Sequence, residues 1–211
     1  MVTLGELRKL GYDPEGRNIK FISGFHSPKE QLLLQEFLAL KRHNTQLDGW
    51  TCLSDAGCYS LVMTHPTFQG QVAKVSANCN DPAFWHYMEA IILQNQHNPH
   101  VPQVSGYVRV KDGSFLVLME KLNELAQKDH SRIKPLQDMT EGKYPLNSYV
   151  RKRISDEEAE RYAASLPAQL FELCMLIRAN PNHWGFDISH MNVLKRGDDL
   201  VLTDVYAIDY R

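Results

Sequence analysis

The feature that most constrains this chain lies late in the sequence, where Asp187 is followed five positions later by Asn192 and the apolar pair Val193-Leu194. A polar turn, Arg196-Gly197-Asp198-Asp199, leads into a second apolar run, Leu200-Val201-Leu202, which ends at Thr203-Asp204. An acid, an amide and a second acid, separated by two short β-type runs, call for a tight loop followed by a hairpin. That order suits a loop that offers a carboxylate to a reacting hydroxyl and gives a metal to the amide and the second acid. It is the layout of a phosphoryl-transfer loop and its metal-binding strand. A D-x4-N string arises readily by chance, so its weight depends on what the upstream chain supplies.

From Trp50 the sequence takes on a β texture. Trp50 to Ser54, Cys58 to Thr64 and Gln71 to Ser76 are short runs of β-forming residues, separated by Asp55-Ala56-Gly57 and by a turn at His65-Pro66. The third run contains Val72-Ala73-Lys74-Val75. A lysine among apolar strand residues is costly to bury unless it has a partner. Asp81-Pro82 then opens a helix, with Asp as cap and Pro just inside, predicted from Ala83 to Gln96. Glu89 on that helix is the candidate partner of Lys74. A hairpin from Val104 to Val110 and Ser114 to Met119, turning at Lys111-Asp112-Gly113, completes five strands and one helix. Met119-Glu120-Lys121-Leu122 would be the hinge to the following part, where backbone groups could hold an adenine edge.

The remaining segments are less informative. Residues 3 to 10 suit a short amphipathic helix, followed by a loop. Ser27-Pro28-Lys29-Glu30 is a capping box opening a helix to about His43. The stretch 123–153 is mixed and net basic, with Arg151-Lys152-Arg153 more readily a solvated face than a docking patch. Ser155-Asp156-Glu157-Glu158 is a second capping box, and its helix runs to about Ala179 with a kink or break at Pro167. His97 and His100 lack a Cys or carboxylate at ligand spacing, so they read as a polar turn around Pro99.

Bulk properties exclude several classes. With 211 residues the chain can form one large domain or two small ones. Its 43% apolar and 23% charged residues are those of an ordinary globular protein, and a net charge of -2 advertises neither nucleic-acid nor membrane binding. No apolar run approaches the roughly 20 residues of a membrane span. The four cysteines form no C-x-x-C pair, which fits reducing cytoplasm.

In this order the parts resemble the protein-kinase-like fold, and more closely the early serine/threonine protein kinases of T-seven-like short-tailed bacteriophages. The resemblance is carried by Ala56-Gly57-Cys58-Tyr59-Ser60, by His65-Pro66 through Lys74-Val75, and by Phe186-Asp187 with Asn192-Val193-Leu194 and Leu202-Thr203-Asp204. It implies an α+β, minimal two-lobed fold with a five-stranded antiparallel sheet, one αC-type helix and a reduced helical C-lobe. The expected divisions are a helical extension over 1–49, an N-lobe over 50–121 and a C-lobe over 122–211.

The implied activity is ATP- and Mg2+-dependent phosphorylation of serine or threonine in host proteins or in the chain itself, in the host cytoplasm. In that reading Lys74 holds the α- and β-phosphates and Glu89 orients it. Gly57 lies over the phosphates, and Glu120 and Leu122 flank the adenine. Asp187 accepts the hydroxyl proton, and Asn192 and Asp204 hold metal. Three departures stand out. A single glycine, Gly57, replaces three; Gly185-Phe186 replaces His-Arg before the catalytic Asp; and Val205-Tyr206 follows the metal Asp. Two alternatives remain open: a kinase-shaped protein that inhibits a host enzyme by binding, and a kinase for a small molecule.

Overall fold

The computed structural model describes residues 19–40, 47–54, 60–76, 81–140, 154–180 and 185–207. The described residues are α+β, with an antiparallel sheet and few helices, the fold class expected. They belong to two compact units. One comprises Met1–Pro82 with Gln103–Lys121, the other Ala83–Pro102 with Leu122–Arg211.

The first unit is built on strands β1 (Ile19–Ser23), β2 (Thr51–Ser54), β3 (Leu61–Thr64), β4 (Gln71–Ser76), β5 (Val104–Val110) and β6 (Phe115–Glu120). They lie in the order β1-β5-β6-β4-β3-β2, every pair antiparallel. The sheet therefore has six strands where five were expected. The additional strand comes from Ile19–Ser23, in the segment read as a helical extension, and pairs along β5 with Phe21 opposite Arg109. A five-residue strand that pairs, among the described residues, with residues some ninety positions away leaves little local trace.

Side chains on a strand alternate between faces. Ala73 and Val75 of β4, Val108 and Val110 of β5, and Leu116 and Leu118 of β6 share one buried cluster with Leu33, Leu34 and Phe37. Those three lie on helix α1 (Pro28–Ala39), which covers that face. The capping box predicted for α1 is formed on both sides: Glu30 N donates to Ser27 Oγ, and Ser27 N to Glu30 Oε2. By the same alternation Lys74 points to the opposite face, with Val62 and Val117 as its register neighbours.

Gly24, between β1 and α1, has φ +80° and faces the backbone of β5. A Cβ there would lie 2.2 Å from the Ser105 carbonyl oxygen, so both backbone conformation and close approach require glycine.

The second unit contains helices α2 (Pro82–Tyr87), α3 (Lys134–Thr140), α4 (Asp156–Glu160) and α5 (Ala168–Ala179). Its strands are β7 (Gly185–Phe186), β8 (Val193–Arg196), β9 (Asp199–Leu202) and β10 (Tyr206–Ala207). The helix predicted over 83–96 is regular only as far as Tyr87; a π turn, Met88–Ile92, and a 3-10 turn, Leu93–Asn95, follow. The helix expected to run from Ser155 to Ala179 is two helices: the first ends at Glu160, a 3-10 turn, Ala163–Ser165, follows, and Pro167 stands directly before the second. Segment 83–102 belongs to this unit and is tied to its strands by side-chain bonds. Tyr87 Oη donates to the Leu202 carbonyl at 2.8 Å, and Arg196 donates to the carbonyls of Pro99 and Val101.

Candidate active site

Three of the sequence-predicted residues are brought together within the second unit, and the backbone shows how. Strand β7 pairs with β10, Phe186 opposite Tyr206. The next residue, Asp187, donates its N–H to the Val205 carbonyl at 2.9 Å. The loop that follows turns back on itself, with the N–H groups of Asn192 and Val193 both directed to the Ser189 carbonyl. Asn192 closes the loop, since its Nδ2 donates to the Asp187 carbonyl at 2.9 Å. On the far side of the β8–β9 hairpin, Thr203 N and Oγ1 both donate to the Asn192 carbonyl, at 2.9 and 3.0 Å. Asp204 thus sits between Thr203, bonded to Asn192, and Val205, bonded to Asp187.

The side chains suit the chemistry. The Asp187 carboxylate is exposed and makes no hydrogen bond among the described residues. With Nδ2 of Asn192 occupied by the loop, its Oδ1 is the atom left to coordinate, while Oδ1 of Asp204 is shielded from solvent. Magnesium takes oxygen ligands and is commonly held by one or two carboxylates together with phosphates and water. An amide oxygen and a carboxylate fit that requirement. No group of three or more His, Cys, Asp or Glu residues that could hold a metal ion occurs among the described residues.

Residues to which the sequence assigned no part in the site hold this loop. Gln137 on α3 donates through Nε2 to the Ile188 carbonyl at 2.6 Å. Tyr206 donates through its hydroxyl to the Ile177 carbonyl of α5, and its ring lies within 6 Å of the rings of Phe186, Tyr87 and His86. Burial, reinforced by neighbouring groups that include Tyr206 and Asp204, pushes the Tyr87 phenol well above its ordinary range; burial does the same for Tyr206. Both stay protonated as donors. Gln137 falls in the stretch read only as mixed and basic, and nothing in its local spacing points to a loop fifty residues on.

The other predicted residues are distributed as follows. Lys74 lies in the first unit, buried, with Nζ 3.4 Å from Asp81 Oδ2. Glu89 is half-buried in the π turn of the second unit. Glu120 ends β6, where its Oε1 accepts from Gln103 N at 2.7 Å, and the second unit resumes at Leu122. Gly57, with the rest of the turn 55–59, lies outside the described residues, as do Arg151-Lys152-Arg153.

No model of a protein family matches the chain, and no curated protein matches it. Solved structures do. The kinase domain of PknI from Mycobacterium tuberculosis is 17% identical with a TM-score of 0.35, over 79% of this chain and 61% of that one. The amicoumacin kinase hAmiN, in complex with AMP-PNP, Ca2+ and Ami, is 16% identical with a TM-score of 0.37, over 85% and 65%. The chain spans less than two thirds of the length of either. No helix among the described residues is long and apolar enough to cross a membrane.

Proposed function

We propose that the chain is an ATP- and Mg2+-dependent phosphotransferase, a serine/threonine protein kinase of the phage early type that acts on host proteins or on itself. The observation that carries this reading is the closed loop that gathers Asp187, Asn192 and Asp204 through Asn192 Nδ2, Thr203 and Val205. Asp187, exposed and held by its backbone, accepts the proton of the substrate hydroxyl. Asn192 and Asp204 offer oxygen ligands to the metal, and bound Mg2+ supplies positive charge against the phosphate oxygens. Lys74 offsets charge on the α- and β-phosphates, and the backbone between Glu120 and Leu122 receives the adenine.

Thermal melting with and without Mg2+ and ATP tests the reading. A ligand that binds only the folded state stabilises by RT ln(1 + [L]/Kd), about 2.7 kcal/mol at one hundred times Kd. Millimolar MgATP should therefore raise the melting temperature of the wild type by several degrees, and the rise should be lost in Asp204→Ala and reduced in Lys74→Ala. An equal rise in all three proteins would contradict the proposed sites. No rise, together with no transfer of labelled phosphate, would reject the function.

A further inference from the structure

The carboxylate beside Lys74 in the first unit belongs to Asp81. Both side chains are more than nine-tenths buried, and Lys74 Nζ lies 3.4 Å from Asp81 Oδ2. The same oxygen accepts a hydrogen bond from Ser60 Oγ at 2.9 Å. Ser60 is itself buried and stands immediately before β3. Lys74 emerges from the middle of β4 between Val62 and Val117, whose side chains offer an ammonium no hydrogen bond. A buried ammonium in such surroundings needs an anion held in place. Asp81 meets that need from seven positions along the chain (81 - 74), and the Ser60 hydroxyl fixes the rotamer of the carboxylate.

We infer that Asp81, braced by Ser60, is the positioning residue for Lys74, the role that the resemblance gave to Glu89. This rests on the proposed phosphate-binding role of Lys74. Asp81 touches no reacting atom. It holds the ammonium extended from the strand. An ammonium has three donors, so an ion pair with one carboxylate oxygen is compatible with phosphate oxygens on another. The arrangement also ties Lys74 to a short connection within its own unit.

The test compares Asp81→Asn, Lys74→Ala, the double variant and Glu89→Gln in the full chain. Asparagine keeps the shape and can still accept from Ser60, so the change removes chiefly the charge. Two readouts are taken: transfer of labelled phosphate from ATP, and the rate at which acetic anhydride acetylates Lys74 without nucleotide, followed by peptide mass spectrometry. We expect Asp81→Asn to lower kcat by roughly tenfold, the scale of one charge-assisted hydrogen bond. It should add nothing in the Lys74→Ala background, because residues that act through one another are not additive. Acetylation of Lys74 should become several-fold faster once its partner is neutral.

The inference is overturned by independent losses in the double variant, which would mark Asp81 as merely structural. A gain of activity in Asp81→Asn also overturns it, since Asp81 would then withhold Lys74. So does a larger loss in Glu89→Gln than in Asp81→Asn. If the wild type transfers no phosphate, the function itself fails. The acetylation rate still decides the pairing, and an unchanged rate in Asp81→Asn overturns it.

Discussion

Asp187→Asn should lower phosphate transfer by about 10²- to 10⁴-fold, the usual contribution of a positioned general base, and leave the fold intact. The two expectations follow from different parts of one residue. The backbone of Asp187 is structural: its N–H is bonded to Val205 and its carbonyl accepts from Asn192 Nδ2. An Asp→Asn change leaves both bonds in place. The carboxylate is exposed and makes no hydrogen bond among the described residues, so replacing it removes a base and little else. Surface substitutions of this kind stay within about 0.5 kcal/mol, so the melting temperature should move by no more than about 2 °C. Transfer assayed with labelled ATP beside a melting curve separates the two effects. A large drop in melting temperature would mean that the carboxylate is structural; undiminished transfer would remove Asp187 from the chemistry.

Arg178→Ala should produce the largest loss of stability. Arg178 is 3% exposed on α5, and its guanidinium joins three segments. Nε donates to Asp156 Oδ1 at 2.9 Å, one terminal nitrogen to the Met139 carbonyl at 2.6 Å, and the other to the Ile154 carbonyl. The ion pair is the lesser part, because the Asp156 side chain is 76% exposed and screened by water. The two carbonyls matter more. Each buried acceptor left without a donor costs about 1–3 kcal/mol, and loss of the packed stem adds to that, for a total of about 3–5 kcal/mol. At about 2–4 °C per kcal/mol, melting should fall by about 10 °C. Asp156→Ala should cost under about 1 kcal/mol. Equal losses in the two variants would show that the ion pair dominates after all. Residue Ile177, adjacent to Arg178, accepts the Tyr206 hydroxyl, so a shift of α5 would also reach the strand after Asp204.

The parts legible in the sequence are those encoded over a few neighbouring residues. The Ser27–Glu30 box formed as predicted, and Ser155 Oγ likewise accepts from Glu158 N at 3.1 Å. The β4 strand, the β5–β6 hairpin and the β8–β9 hairpin around Gly197 fall where alternation and turn residues placed them. The tight loop and hairpin expected over 187–204 are present, although Asn192 closes the loop on the backbone carbonyl of Asp187 and not on its carboxylate.

What escaped depends on distant pairing. β1 exists because β5 offers it an edge, and Gln137 matters because α3 lies beside Ile188. Asp81 was read for its local fitness as a helix cap, and local spacing carried no sign of its ion pair with Lys74. The π turn at Met88–Ile92 is equally invisible to a 3.6-residue period, which it interrupts by widening one turn.

The central claim is that Asp187, Asn192 and Asp204 form one metal–nucleotide site, and paramagnetic broadening by Mn2+ tests it most directly. In 15N-labelled protein with ATP, a small fraction of an equivalent of Mn2+ should first erase the Asn192 side-chain amide and the backbone amides of 187–192 and 203–205. Asp204→Ala should abolish that selectivity. If those signals stay sharp while others in the chain disappear, the metal binds elsewhere and the account is wrong.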